Sequence, residues 1–188
     1  MAVKAPVFPF IKLRGLDPAP GPEMKSTGEV MGSHKNAAAA YLKARMATEI
    51  PVPTHGGVYI TVKDSDKESI ISLAKSLKDM EFDLYATRGT AAVLRERGGL
   101  EVNSAYRIAE QGSPDALDLM RDGKIQLIIN TPTNSGGAVL DGNMMRRLAV
   151  ELNIPFVTTM SGATMEVQAV AEMIKGLPEP RSLTIGTV

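Results

Sequence analysis

The chain has 188 residues, 44% of them hydrophobic, with 17 glycines, 12 prolines and no cysteine or tryptophan. That suits one domain with a real core and excludes disulfides and cysteine-ligated zinc. Its 21 basic side chains equal its 21 acidic ones, so the bulk charge of a nucleic-acid binder is missing. No apolar run approaches the ~18 residues of a membrane span. Met1–Phe10, broken by Pro6 and Pro9, lacks a signal-peptide stretch. The expectation is a cytoplasmic protein without membrane or nucleic-acid partners.

The averages hide a split. Residues 1–57 hold both histidines, 7 basic and 4 acidic side chains; the remainder holds 14 and 17. Seven of the 12 prolines fall within residues 1–53. A boundary is placed at Pro51–Gly57, where Pro-x-Pro and Gly-Gly mark a linker. Before it, Val3–Phe10 reads as a strand, Gly15–Gly32 as an ordered loop and the alanine-rich Asn36–Thr48 as a helix. This set is too small to make its own core.

After the boundary, strand and helix patterns alternate. Val58–Lys63 is a β-branched strand. Ser65-Asp-Lys-Glu68 has the form of a capping box, opening a helix with Ile70, Leu73, Ala74 and Leu77 on one face. Phe82–Thr87 is a second strand, and Gly89 and Thr90 lead into a helix that stops at Gly98-Gly99. Tyr106–Ala109 is a short third strand. Ser113 as N-cap and Pro114 as first residue open a helix ending at Gly123. Ile125–Asn130 is apolar throughout, as a strand buried on both faces is. Asp141 caps a helix with Met144, Leu148, Ala149 and Leu152 inward. Pro155–Thr159 is a fifth strand, and a last helix runs from about Gly162 to Lys175. The alternation predicts an α/β fold: three layers, a mostly parallel five-stranded sheet with helices on both faces, and an irregular N-terminal segment.

In open α/β sheets ligands bind beyond the carboxyl ends of the strands. That rule nominates Lys63–Lys67, Thr87–Thr90, Arg107 and Asn130–Gly137. Thr87-Arg88-Gly89-Thr90 joins a strand end to a helix start. Gly89 permits close approach, two hydroxyls flank it, and the helix offers unpaired N–H groups, so it forms a phosphate seat. The other reading is a threonine that merely caps the helix. Lys67 and Arg107 add charge to the same anion or are solvated surface cations. Asn130 and Thr131 read a base or sugar, or form a turn. Asp115 and Asp118 are acid/base groups or first-turn helix acids. There is no G-x-G-x-x-G after the first strand and no G-x-x-x-x-G-K-[ST] loop. With no cysteine, and no histidine after His55, the α/β part has no Cys-His or Ser-His nucleophile. No catalytic residue and no metal ligand is nominated.

Gly21-Pro-Glu-Met-Lys-Ser-Thr-Gly-Glu-Val-Met-Gly32 resembles a segment near the end of the second ATP-grasp half of the carbamoyl-phosphate synthase large subunit. Val7-Phe-Pro-Phe10 and Gly15-Leu-Asp-Pro18 resemble what precedes it. Asp66-Lys-Glu68, Ala86–Ala91, Ile128–Thr131, Arg146-Arg147 and Ile154–Thr159 resemble that subunit's C-terminal, methylglyoxal-synthase-like domain. The resemblance implies a Rossmann/flavodoxin-like allosteric domain over 58–188 and an ATP-grasp remnant with linker over 1–57. It implies UMP or IMP as effector, contacting Lys67, Thr87, Thr90, Arg107 and Asn130. Gly89 and Thr131 complete the expected site. A second effector site falls at Phe156 and Thr158, where ornithine-responsive relatives carry a tyrosine in place of Phe156. Pro132 replaces a family threonine.

The expected partners are the rest of the large subunit and its glutaminase small subunit, in an oligomer, serving pyrimidine and arginine synthesis. ATP, magnesium and potassium belong to the full synthetase, and this chain carries no cofactor of its own. The alternatives are a free-standing methylglyoxal synthase and an oligomerisation domain without ligand. For the former, Ser113 stands at the catalytic aspartate's position and only Asp115 is near enough to substitute.

Overall fold

Alternation along single strands builds the two halves of the core. In β3 (Gly57–Thr61) Val58 and Ile60 face one side of the sheet and Tyr59 the other. In β6 (Leu127–Asn130) Leu127 and Ile129 face the first side and Ile128 the second. All these apolar residues are buried, as expected of central strands covered on both faces. The structure is a computed structural model that describes residues 1–8, 26–48, 50–110, 112–132 and 136–180.

The first face is covered by α2 (Lys67–Asp79), α3 (Arg88–Glu96) and α6 (Met160–Lys175), through Ile70, Leu77, Leu94 and Val167. The second is covered by α4 (Ala116–Arg121) and α5 (Gly136–Glu151), through Leu117, Met120, Met145 and Ala149. With β4 (Asp83–Thr87), β5 (Asn103–Ala105) and β7 (Phe156–Val157), the sheet runs β5-β4-β3-β6-β7 with every pair parallel. Numbered within the sheet this is 3-2-1-4-5, the Rossmann order without its sixth strand rather than the flavodoxin order. From β3 the chain winds outward one way, and from β6 the other. The crevice between their carboxyl ends is the switch point.

The N-terminal segment is more regular than expected. β1 (Ala2–Val7) pairs antiparallel with β2 (Gly28–Ser33), where a loop was expected; residues 15–25 of that loop lie outside the described residues. β2 lies against α1 (Ala37–Met46) at Gly32: a Cβ there would meet the Ala40 carbonyl at 2.0 Å and the Ala44 nitrogen at 2.5 Å. α1 is capped by the Asn36 side chain, which accepts from the Ala38 N–H at 2.8 Å. It packs on α6 through a buried polar cluster. The Glu166 carboxylate, wholly buried, accepts from Arg45 Nε and Nη2, each at 3.0 Å, and from the Tyr41 hydroxyl at 2.8 Å.

Several local expectations are corrected. The third strand is Asn103–Ala105, not Tyr106–Ala109. It is a polar edge strand, pinned by Arg95, which donates to the Val102 carbonyl and, at 2.8 Å, to Ser104 Oγ. The apolar signal that suggested a later strand belongs to a loop, with a 3-10 turn at Ile108–Glu110. Ser65–Glu68 forms no capping box. A 3-10 turn at Asp64–Asp66 precedes α2, Asp66 takes a helical backbone without a side-chain cap bond, and Glu68 pairs instead with Arg97 at 2.8 Å.

The capping box sits in α4: Asp115 Oδ1 accepts from the Asp118 N–H at 2.9 Å, and Asp118 Oδ2 from the Asp115 N–H at 3.2 Å. Asp115 is therefore the N-cap, not Ser113, and Ser113-Pro114 is a cis peptide before it. Asp141 does not cap α5, which begins at Gly136. Its inward row is Asp141, Met145 and Ala149, spaced by four, so Met144 and Leu152 turn outward.

Candidate functional site

A cavity of about 360 Å³ opens at the β3/β6 switch point. All seven residues nominated for the main site line it: Lys67, Thr87, Gly89, Thr90, Arg107, Asn130 and Thr131. They arrive from four separate stretches of chain, brought together because strand ends are neighbours in a parallel sheet. Phe156 and Thr158 do not join them; Phe156 lies on the edge strand β7 and Thr158 just after it.

One end of the cavity gathers a helix start and cationic side chains. β4 passes into α3 with no intervening loop, so the first turn of α3 starts at the cavity wall. Thr87 is the N-cap, yet its side chain bonds none of the helix N–H groups. Its hydroxyl instead donates to Thr90 Oγ1 at 3.3 Å. The capping reading of this threonine is thus set aside, and the first-turn N–H groups keep their capacity for a ligand. Lys67 reaches the same place from the start of α2. Its Nζ would lie 3.3 Å from a Cβ at Gly89, so the ammonium stands directly over the glycine. The same Nζ is 2.7 Å from Asp64 Oδ1, and this contact holds the Asp64 carboxyl below its ordinary range.

The mouth is crossed by the loop after β5. The Arg107 N–H donates to Glu110 Oε2 at 3.0 Å, and Arg88 Nη2 lies 2.8 Å from the same oxygen. The Arg107 N–H, and then Arg88, hold Glu110 below its usual value; Glu110 in turn pushes the Arg88 guanidinium up. Arg88 also sits over the Tyr106 ring, 5.1 Å from its centroid.

The other end is more enclosed and less charged. The Asn130 Oδ1 accepts from Arg146 Nη1 at 3.2 Å, which orients the amide; its Nδ2 makes no hydrogen bond among the described residues. Thr131 Oγ1 accepts from the Lys63 N–H at 3.0 Å, joining the loops after β3 and β6. Asp141 accepts from the Ala109 N–H, and its carboxyl is raised chiefly by burial. Tyr59, Ile108, Ala116 and Met145 complete this end.

Sequence reasoning missed Tyr59, Arg88, Glu110 and Asp141 as cavity residues. For Arg88 the signal was present, inside the nominated Thr87–Thr90 turn. For Asp141 it was misread as a cap. Tyr59 is the one polar group amid the apolar Val58–Ile60 run, a signal that went unused.

Residues 69–158 match the family model of the MGS-like domain. Nearly the whole chain resembles the C-terminal section of carbamoyl phosphate synthase large chains. It is 47% identical over 175 residues, 93% of this chain, to the "Carbamoyl phosphate synthase large chain, C-terminal section" of Methanopyrus kandleri. It is 46% identical over 94% of its length to that of Methanocaldococcus jannaschii, and 43% identical over 97% to the large chain of Methanothermobacter thermautotrophicus. The chain spans 32%, 28% and 17% of those three relatives, respectively. Among solved structures, a methylglyoxal synthase from Elizabethkingia anophelis superposes with a TM-score of 0.51 at 15% identity, over 72% of this chain and 97% of that one. That likeness bears on the fold alone.

Proposed function

We propose that this chain is the ligand-sensing region of a carbamoyl phosphate synthase large chain, and that the β3/β6 cavity takes a nucleoside monophosphate, UMP or IMP, as effector. The observation that carries the reading is the uncapped start of α3 with Lys67 over Gly89, opposite the oriented amide of Asn130. In this reading the phosphate sits against the α3 N–H groups, the Thr87 and Thr90 hydroxyls and the Lys67 ammonium. Arg107 supplies a second cation, and Asn130 donates to the base or sugar.

Bound ligand then favours one packing of this region against the remainder of the large chain, by the difference in its affinity for the two arrangements. The partners are that remainder, a glutaminase small subunit and further copies in an oligomer. The enzyme served would be the ATP-dependent synthesis of carbamoyl phosphate for pyrimidines and arginine. Residues 58–188 form the regulatory domain and residues 1–57 its link to the catalytic part.

Calorimetric titration with UMP and with IMP tests the reading. Saturable heat with one of them, lost in both Lys67→Met and Thr90→Val, is expected. Absence of heat with both at millimolar ligand defeats it.

A further inference from the structure

Tyr59 is 2% exposed, and its ring packs in the apolar cluster with Ile128 and Met145. Its hydroxyl has no hydrogen-bond partner among the described residues, and since no fully buried side-chain oxygen or nitrogen there lacks a partner, it keeps contact with the cavity that the residue lines. A phenol left unpaired in a strand core is unfavourable compared with phenylalanine, because the O–H loses water and gains nothing. Here the residue borders the cavity at the β3/β6 switch point.

Its surroundings define what it can do. The Asp115, Asp141 and Glu110 carboxylates lie on its electrostatic horizon, with Arg107 the one opposing cation. Burial first, and those carboxylates next, push its ionisation far up, so the group is a neutral hydrogen-bond donor at any working pH. The neighbouring Asn130 Nδ2 is a second neutral donor. Ile108, Ala116 and Met145 supply apolar wall between them. The cavity thus has a cationic end at α3 and a less charged end, where Tyr59 and Asn130 offer donors beside the Asp141 carboxylate.

We propose that Tyr59 is the specificity-determining contact for the uncharged end of a phosphomonoester ligand, its hydroxyl donating to a sugar hydroxyl or a base carbonyl oxygen. The inference rests on the reading that the cavity seats such a ligand. It goes further in naming the residue that separates an organic phosphate from phosphate itself.

The experiment is calorimetry on the whole chain and on Tyr59→Phe, which keeps the ring and its packing. The probes are inorganic phosphate, ribose 5-phosphate, UMP and IMP. Tyr59→Phe is expected to weaken at least one organic ligand by about 3- to 10-fold, the loss of one hydrogen bond, with inorganic phosphate unchanged. Equal affinity of the two proteins for every organic ligand overturns the inference, as does an equal loss for inorganic phosphate. Silence with UMP and IMP defeats the nucleotide reading alone, since ribose 5-phosphate still decides the role of Tyr59. Silence with all four probes defeats both.

The unsubstituted chain provides a second measurement, independent of any variant's folding. With no tryptophan present, ribose 5-phosphate, which is transparent where tyrosine absorbs, should change the tyrosine ultraviolet difference spectrum beyond any change that inorganic phosphate causes through Arg88 over Tyr106. An identical response to both overturns the inference.

Discussion

Replacing Glu166 with leucine tests how the N-terminal segment is held. The wild-type carboxylate is 0% exposed and accepts from three donor groups of α1, the Arg45 Nε and Nη2 and the Tyr41 hydroxyl. The Arg45 side chain is only 12% exposed. Glu166→Leu therefore leaves a cation with little water and no counter-charge, which costs about 3–5 kcal/mol. At about 2–4 °C per kcal/mol for a chain of this size, a loss of about 3 kcal/mol lowers the melting temperature by about 6–12 °C.

Arg45→Met strands the carboxylate instead, at a similar cost. The double variant strands neither charge and leaves only the Tyr41 hydroxyl without its acceptor, about 1 kcal/mol. It should melt above both single variants. Thermal melts of the four proteins check this, and so does protease cleavage before Val58, which should be faster in the single variants only. Strictly additive losses, or single variants that melt within about 2 °C of wild type, would refute the reasoning.

Lys67→Met should weaken inorganic phosphate binding by about tenfold and flatten its salt dependence, measured by competition titration at two ionic strengths. Glu110→Gln removes the carboxylate that occupies Arg88 and should tighten the same ligand severalfold; unchanged affinity would place Arg88 outside the site. Gly32→Val drives side-chain atoms into the Ala40 carbonyl and should lower the urea midpoint clearly, whereas the same change at Gly28, with nothing within 4 Å of a Cβ, should cost far less. Tyr41 and Tyr59 both ionise above their unfolded value of 10.0. The fold keeps protons that the unfolded chain releases, so this part of the stability is complete below about pH 10 and falls as pH rises beyond it, by about 1.4 kcal/mol per unit for each tyrosine. Urea titrations across that interval should show the fall, and Tyr41→Phe should make it shallower; a flat profile would contradict the burial of both.

Legibility followed the length of the pattern. The central strands were readable because β3 and β6 carry uninterrupted apolar runs, and α2 because Ile70, Ala74 and Leu77 repeat at helical spacing. β5 was not, because an edge strand of Asn103, Ser104 and Ala105 buries almost nothing and owes its existence to β4 beside it. Capping was misplaced in α2, α4 and α5 for a common reason. A serine or aspartate at the right spacing offers an oxygen, but the turn before it decides whether that oxygen reaches the helix N–H groups. The seven residues nominated for the main site come together at one cavity because strand-end geometry gathers them whatever the loops do. Phe156 and Thr158 rested on resemblance alone and lie apart from the cavity. Tyr59 escaped because in a β-strand a tyrosine looks like any large apolar residue, and only the position of empty space distinguishes them.

The charges around the cavity explain how an anion seat coexists with zero net charge. Lys63, Lys67, Arg88 and Arg107 line it, and so do Asp64, Glu110 and Asp141. Three of the cations are already engaged, Lys67 by Asp64 at 2.7 Å, Arg88 by Glu110 at 2.8 Å and, more loosely, Lys63 by Asp66 at 3.9 Å. For the first two, the partner's exposure decides how firm the hold is. Both carboxylates are accessible from solvent, Asp64 almost fully, so their hold is weak and yields to a better placed anion. The N–H groups at the start of α3 receive no side-chain cap, and the Arg107 guanidinium has no ion pair among the described residues. In the proposed reading a phosphate therefore gains more from these than from Lys67 and Arg88, which must first exchange partners. Under the proposed function such a site would answer to ligand concentration, as a sensor must. Because Glu110 also receives the Arg107 N–H, a ligand that drew Arg88 away would loosen the loop over the mouth at residues 106–110.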